Sequence, residues 1–225
     1  MMSTLKGWWG EKKATFTMWM SLDKATYQRL HDVIIPSSNG TTQIDHILLS
    51  EYGIFIVETK NYQGWIFGSE DSAKWTQVLR GKKYPFQNPL RQAYRQKKVL
   101  CEFLGIEESL VRIVVFFVGD CQFKTEMPQN VLSGGLAHHV KSYNHQVFSP
   151  RQVDTLKDQL LNHKRHTSLN NRDHIQSLRD RHSSTTICPT CGGKLVTRTI
   201  RKGAKAGSQF LGCSNYPKCR FTKQL

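Results

Sequence analysis

The sequence predicts an α/β sandwich followed by a small metal-stapled module. Helix-like and strand-like signals alternate along residues 1–162, the run Gly53-Ile-Phe-Ile-Val57 is apolar at both parities, and four cysteines sit as two short-spaced pairs at 188, 191, 213 and 219. A strand apolar on both faces must be covered on both, which a sheet between helices provides. In a chain of 225 residues, 38% apolar content is enough to build such a core.

Taken in order, residues 10–20 are expected to form a first helix, with Phe16, Trp19 and Met20 near one face and Glu11 in the opening turn. Residues 27–35 read as a strand stopped by Pro36 and the turn Ser37-Ser-Asn-Gly40, and residues 42–49 as its successor. Glu51-Tyr-Gly53 turns the chain into the buried strand. Residues 62–67 and 74–79 predict shorter strands. Asn88-Pro89 opens a helix over 90–104 that Gly105 closes. Residues 111–118 form the most apolar strand and are expected at the centre of the sheet. Helices over about 135–143 and 150–161 complete the first domain. Residues 163–186, polar and without apolar periodicity, predict a linker, helical in part around 173–178. The expected organisation is therefore a domain at 1–162, a linker at 163–186 and a cysteine module at 187–225.

The formal charge of +15 is concentrated in the last part of the chain. Residues 163–225 carry 13 Lys and Arg against 2 Asp and Glu, whereas residues 1–162 carry 19 against 15. Such asymmetry points to a polyanionic partner, nucleic acid before an anionic membrane surface. No stretch approaches the roughly 18 apolar residues of a membrane span, and the opening MMSTLKGWWGEKK lacks a signal-peptide core, so a cytoplasmic location is expected. In that reducing compartment cysteines serve as metal ligands or free thiols; Cys101 and Cys121, standing alone, read as free thiols.

The stretch Gln43–Lys60 carries the first candidate site. Asp45 follows a turn, and Glu58 and Lys60 end the buried strand on the face of Ile54 and Ile56. Charges there are costly unless paired or metal-bound. A hairpin of this length brings Asp45 beside Glu58, so that two hard oxygen ligands can share a Mg²⁺ while Lys60 reaches a water or a phosphate. His46 alternates to the opposite face and reads as a packed or surface residue; Gln43 shares the parity of Asp45 and suits a ligand contact or a structural hydrogen bond.

Glu11, Gln43-Ile-Asp-His46, Gly53-Ile-Phe-Ile-Val-Glu-Thr-Lys-Asn61, Gly64, Gly68, Trp75 and Gln87-Asn-Pro89 with Gln92, in this order, resemble the nuclease-related domain (NERD) family. That family is similar to the PD-(D/E)xK nucleases, with a restriction-endonuclease-like mixed central sheet flanked by helices. The resemblance implies that Asp45 and Glu58 bind Mg²⁺ or Mn²⁺, that Lys60 orients or activates the attacking water, that Glu11 adds a further carboxylate, and that Gln92 joins them from the following helix. Ile44 replaces the proline of the superfamily's name, at a position that shapes the turn.

Cys188-Pro-Thr-Cys191 and Cys213-Ser-Asn-Tyr-Pro-Lys-Cys219 supply four thiolates for a closed tetrahedral Zn²⁺ site, structural rather than catalytic. Gly192-Gly193 allows the first turn to tighten beneath the metal. The text from Cys188-Pro to Arg220-Phe221 resembles the C4 zinc ribbons of bacterial type IA topoisomerases, which implies binding of single-stranded DNA. Residue types agree. Lys194, Arg198, Arg201, Lys202, Lys205, Lys218, Arg220 and Lys223 face no acid within the module, and Phe210, Tyr216 and Phe221 offer stacking surfaces or fill its small core.

The sequence thus reads as a metal-dependent deoxyribonuclease in which residues 1–162 cut and residues 187–225 grip. Two alternatives are a nuclease-like fold that binds nucleic acid without cutting, and an adaptor contacting protein partners in a DNA-processing or defence complex.

Overall fold

The structure is a computed structural model that describes residues 22–37, 39–217 and 219–225. The expected helix at 10–20 with Glu11, and Lys218, lie outside the described residues. The described chain forms two compact units, residues 22–35 with 43–167, and residues 36–42 with 168–225.

The first unit is built on a five-stranded mixed sheet. Its strands are β1 (Gln28–Ser37), β2 (Gly40–Ser50), β3 (Gly53–Lys60), β7 (Val111–Phe117) and β9 (Val131–Leu132), in that spatial order. β2 and β3 form an antiparallel hairpin, whereas β3 pairs in parallel with β7 from Ile54–Val111 through Lys60–Phe117. A parallel return needs a long crossover. Here it contains β4 (Gly64–Phe67), β5 (Lys74–Leu79), β6 (Lys82–Gln87) and helix α1 (Pro89–Leu104). β8 (Cys121–Phe123) joins β4, β5 and β6 in a second, four-stranded sheet ordered β6-β5-β4-β8.

Both faces of the main sheet are covered, as the apolar run of β3 demands. Ile54 and Ile56 pack with Val99, Leu100 and Leu104 of α1 and with Val153, Leu156 and Leu160 of helix α3 (Pro150–His166). Phe55 and Val57 pack on the other side with Leu136 and Val140 of helix α2 (Leu136–Lys141). The expected class, a mixed central sheet flanked by helices, is the one observed. Its centre is β3 rather than β7, because the two-residue β9 lies beyond β7.

Local chemistry sets the ends of α1. Asn88 caps it, its side-chain oxygen accepting from the Leu90 N–H, Pro89 occupies the first turn, and Gly105 closes it in the left-handed region. Asn88 is fully buried, and its amide also donates to the carbonyls of Ser69, Glu70 and Ser72 at 3.2, 3.0 and 2.7 Å. Gly68 is required by its neighbour: a Cβ there would lie 2.3 Å from the Trp75 ring, which stacks parallel to Phe117 in the core. Three of the motif residues, Gly68, Trp75 and Asn88, therefore hold the loop between β4 and β5 and do not line the carboxylate site.

Three differences from the sequence-based expectation have physical causes. β6 was not expected, since Pro85 and four exposed polar or basic positions weaken its strand signal, yet it is an edge strand, where proline is tolerated. β1 continues through Pro36 for the same reason. The segment 163–186, expected to be helical only around 173–178, contains the longer helix α4 (Asn171–Ser183), opened by a reciprocal Asn170–Asp173 capping box. The second unit continues with β10 (Leu195–Thr199), β11 (Gln209–Cys213) and β12 (Thr222–Gln224), an antiparallel three-stranded ribbon.

Candidate functional site

The buried strand β3 delivers Glu58 and Lys60 to the face covered by α1. Residues 53–58 are all buried; Glu58 is 2% and Lys60 19% exposed at the side chain. Lys60 Nζ donates to Glu58 Oε1 at 2.6 Å and to Gln92 Oε1 at 3.0 Å. Gln96, one helical turn after Gln92, donates through Nε2 to Glu58 Oε2 at 2.6 Å and to the Gln43 carbonyl at 3.1 Å. The charge on Glu58 is thus matched by an ammonium and an amide in a place that water hardly reaches.

Asp45 reaches the site from β2. The β2–β3 ladder pairs Ser50–Gly53 through His46–Val57, and Asp45 is the next residue of β2 beyond its last pair. The Asp45 carboxylate crosses to β3 there: its Oδ2 accepts from the Thr59 N–H at 3.3 Å. Asp45, Glu58, Lys60 and Gln92, singled out from the sequence, are therefore brought to one end of β3. Glu11 lies outside the described residues.

Gln96 was missed by sequence reasoning. It is 2% exposed, and its Oε1 makes no hydrogen bond among the described residues. A signal existed in the text Gln92-Ala-Tyr-Arg-Gln96, since residues four apart share a helix face. Gln43 contributes its main-chain carbonyl, while its side chain lies 3.4 Å from Asp32 Oδ1. His46 is buried, as the packed reading expects, with its Nδ1 2.8 Å from His31 Nδ1. Burial, then the neighbouring His31, pushes the His46 imidazole down to about 4.

The second candidate centre is the cysteine cluster. The four Sγ atoms of Cys188, Cys191, Cys213 and Cys219 lie within 4.8 Å of one another, with Cys188–Cys219 at 3.7 Å and Cys191–Cys213 at 3.4 Å. A tetrahedron with metal–sulfur bonds of about 2.3 Å has edges of about 3.8 Å, so the donor set fits Zn²⁺. Each cysteine pair sits in a tight turn. Gly192 adopts φ 75° and donates to the Cys188 carbonyl at 3.0 Å, and Cys219 N–H donates to the Asn215 carbonyl at 3.0 Å.

Burial raises the Cys219 thiol and pushes that of Cys213 up to about 11. At Cys191 burial is outweighed by the Gly193 N–H and the neighbouring thiols, leaving it below the ordinary thiol range. A metal that binds here must therefore displace protons from the raised thiols of Cys213 and Cys219.

Around this centre Lys194, Arg201, Lys202, Lys205 and Arg220 are exposed, and Tyr216 is 60% exposed. Arg198 lies over the Tyr216 ring, 5.6 Å from its centroid, and donates to the Cys213 carbonyl. Phe221 packs on the small cysteine core and Phe210 is half-buried, which makes both partly structural. Lys223 donates to the carbonyls of His182, Ser183 and Ser184, so it caps the last turn of α4 instead of standing free for an anion.

Fold and sites together define a two-part protein, a mixed α/β domain with a carboxylate and lysine cluster and a four-thiolate ribbon. The chain belongs to the nuclease-related domain (NERD) family, which matches residues 6–118, and residues 185–225 match the topoisomerase DNA-binding C4 zinc finger. An uncharacterised protein of Bacillus anthracis is 50% identical over 106 residues, 47% of this chain and 49% of that protein. DNA topoisomerase 1 of Archaeoglobus fulgidus is 58% identical over 38 residues, 17% of this chain and 5% of the enzyme. DNA topoisomerase 1 of Methanocaldococcus jannaschii is 55% identical over 39 residues, 17% of this chain and 4% of the enzyme. The match thus spans about half of the Bacillus protein and about a twentieth of each topoisomerase. No solved structure matches. Among the described residues no helix is long and apolar enough to cross a membrane.

Proposed function

We propose that the chain is a Mg²⁺- or Mn²⁺-dependent nuclease that hydrolyses phosphodiester bonds of DNA. The observation that carries the reading is the convergence of Asp45, Glu58 and Lys60 at one end of β3, with Gln92 on the lysine and Gln96 on the glutamate. Two carboxylates are the hard oxygen donors that such a cation takes, so the residues fit it. Asp45 and Glu58 would hold the ion, which when bound polarises the phosphate and lowers the pKa of a water. Lys60 supplies an ammonium that donates to a phosphate oxygen or to the attacking water. Gln92 restricts where that ammonium points, and Gln96 fixes the second oxygen of Glu58.

In the same reading the ribbon binds single-stranded DNA. Its Zn²⁺ is structural, because four thiolates close the coordination sphere. Exposed Lys194, Arg201, Lys202, Lys205 and Arg220 meet phosphates, and the Tyr216–Arg198 pair offers a stacking surface. A cytoplasmic setting suits a cluster of reduced thiols.

The test is cleavage of labelled single- and double-stranded DNA and RNA with and without Mg²⁺. Cleavage of DNA should require the metal, stop with chelator, and fall by at least about a hundredfold in Asp45→Ala and Lys60→Ala. Lys60 neutralises buried Glu58, so its removal costs up to about 3 kcal/mol and thermal unfolding is recorded beside activity. Cleavage that survives both substitutions in folded protein overturns the proposal.

A further inference from the structure

The four-stranded sheet has an outer face that neither site uses. Along β4 the side chains alternate. Ile66 is fully buried with Trp75, Leu90 and Ala93, whereas Trp65 is 50% exposed. The register sets Gln122 of β8, Trp65 of β4, Val78 of β5 and Lys83 of β6 in one row. Lys74 lies on the same face of β5, four residues before Val78. Lys124, just beyond β8, holds its ammonium 4.9 Å from the centroid of the Trp65 ring. Lys74, Lys83, Gln122 and Lys124 are all exposed, and no Asp or Glu occupies a position on this face of the four strands.

This face presents one exposed indole plate with cations distributed across three strand spacings, about 14 Å. Such an arrangement matches what one strand of nucleic acid requires: a surface on which a base stacks, and positive charges for the flanking phosphates. A duplex keeps its base faces stacked inside and has no use for the indole. β4 begins four residues after Lys60, so the plate is in the same unit as the carboxylate site and close to it in sequence.

We propose that the outer face of this sheet is a second platform for single-stranded DNA, separate from the ribbon. Trp65 stacks on a base, while Lys74, Lys83 and Lys124 meet phosphates. The inference rests on the reading that the chain acts on DNA and names the surface of the first unit that holds it.

The test uses the full chain without added Mg²⁺ and measures binding of a fluorescent oligothymidylate and of a duplex across a salt series. Trp65→Ala should weaken the single-strand Kd about tenfold, the loss of one stacked base, with little change for the duplex. The double variant Lys83→Gln/Lys124→Gln should lower the slope of log K against log salt by about 0.7 for each phosphate that is no longer neutralised. Ultraviolet cross-linking should place a DNA adduct on the peptide that contains Trp65. If both variants bind as wild type and cross-links map only to residues 187–225, the platform does not exist. Cleavage plays no part in the measurement: protein that binds through Trp65 yet cuts nothing refutes the nuclease reading and leaves this one intact.

Discussion

Gln96 and Glu58 meet at 2.6 Å, with the amide nitrogen of α1 donating to the inward carboxylate oxygen of β3. This contact joins helix to sheet at the point where the apolar interface ends and the polar one begins. Gln96→Ala leaves a buried carboxylate oxygen without its donor, and should destabilise the fold by about 1–3 kcal/mol in urea denaturation. Gln96→Glu places a second carboxylate against the first. One of the two must then keep a proton, raising a folded-state carboxyl pKa above its unfolded value. Stability conferred by that proton is present below the unfolded value and lost as pH rises. The Tm of this variant should fall between pH 5 and 8 relative to wild type; a constant difference would refute the arrangement.

His46 makes the opposite demand on pH. Burial, then the adjacent His31, takes its imidazole down to about 4, so the fold favours the neutral ring. The stability this confers is complete above the unfolded value near 6.5 and is lost as pH falls through 4. In that window wild type should lose up to about 1.4 kcal/mol per pH unit from this group. His46→Leu should show a flatter dependence between pH 6.5 and 4, measured by urea denaturation at each pH.

Asn88 performs two tasks that one atom each of its amide serves. Asn88→Ala removes both the helix cap and the donor to three carbonyls, with an expected loss of about 2–4 kcal/mol. Asn88→Asp keeps the capping acceptor but turns a second oxygen toward those carbonyls. It should therefore be no more stable than the alanine variant in thermal unfolding, although aspartate is among the best caps in general.

Removal of zinc should act locally. Chelation of the purified protein is expected to unfold the ribbon while the first unit keeps its cooperative transition, seen as proteolysis confined to residues 187–225. Because binding displaces protons from thiols that burial has raised, Zn²⁺ affinity should be higher at pH 8 than at pH 6. Competition with a metal indicator measures it.

Much of this is legible in the amino-acid sequence, for reasons that differ from residue to residue. The burial of β3 was written in Ile54, Phe55, Ile56 and Val57, because only a sheet covered on both faces accepts apolar side chains at both parities. The same parity placed Glu58 and Lys60 beneath α1, and the cysteine spacing announced a cluster. What stayed hidden depends on tertiary partners. Nothing local says that Gln96 faces Glu58 rather than solvent, since a glutamine four residues from another is an ordinary exposed pair until the helix docks. β6 was hidden by its own chemistry, an edge strand of lysines with a proline, while α4 was legible only around 173–178, because its polar surface lacks apolar periodicity and the Asn170–Asp173 cap marks its true start. Gly68, Trp75 and Asn88 stood in the motif beside Asp45 and Glu58, and only packing separates residues that frame the loop from residues that line the site.

The cap at Asn88 also fixes an angular phase. Counted from it, Gln92 and Gln96 lie four and eight positions along α1, a spacing that returns both to the azimuth of β3. One residue inserted between Asn88 and Gln92 would rotate the pair by about 100°, exchanging amides for whatever the neighbouring stripe carries. The length of this short interval is consequently a part of the site's specification, beside the identity of the side chains in it.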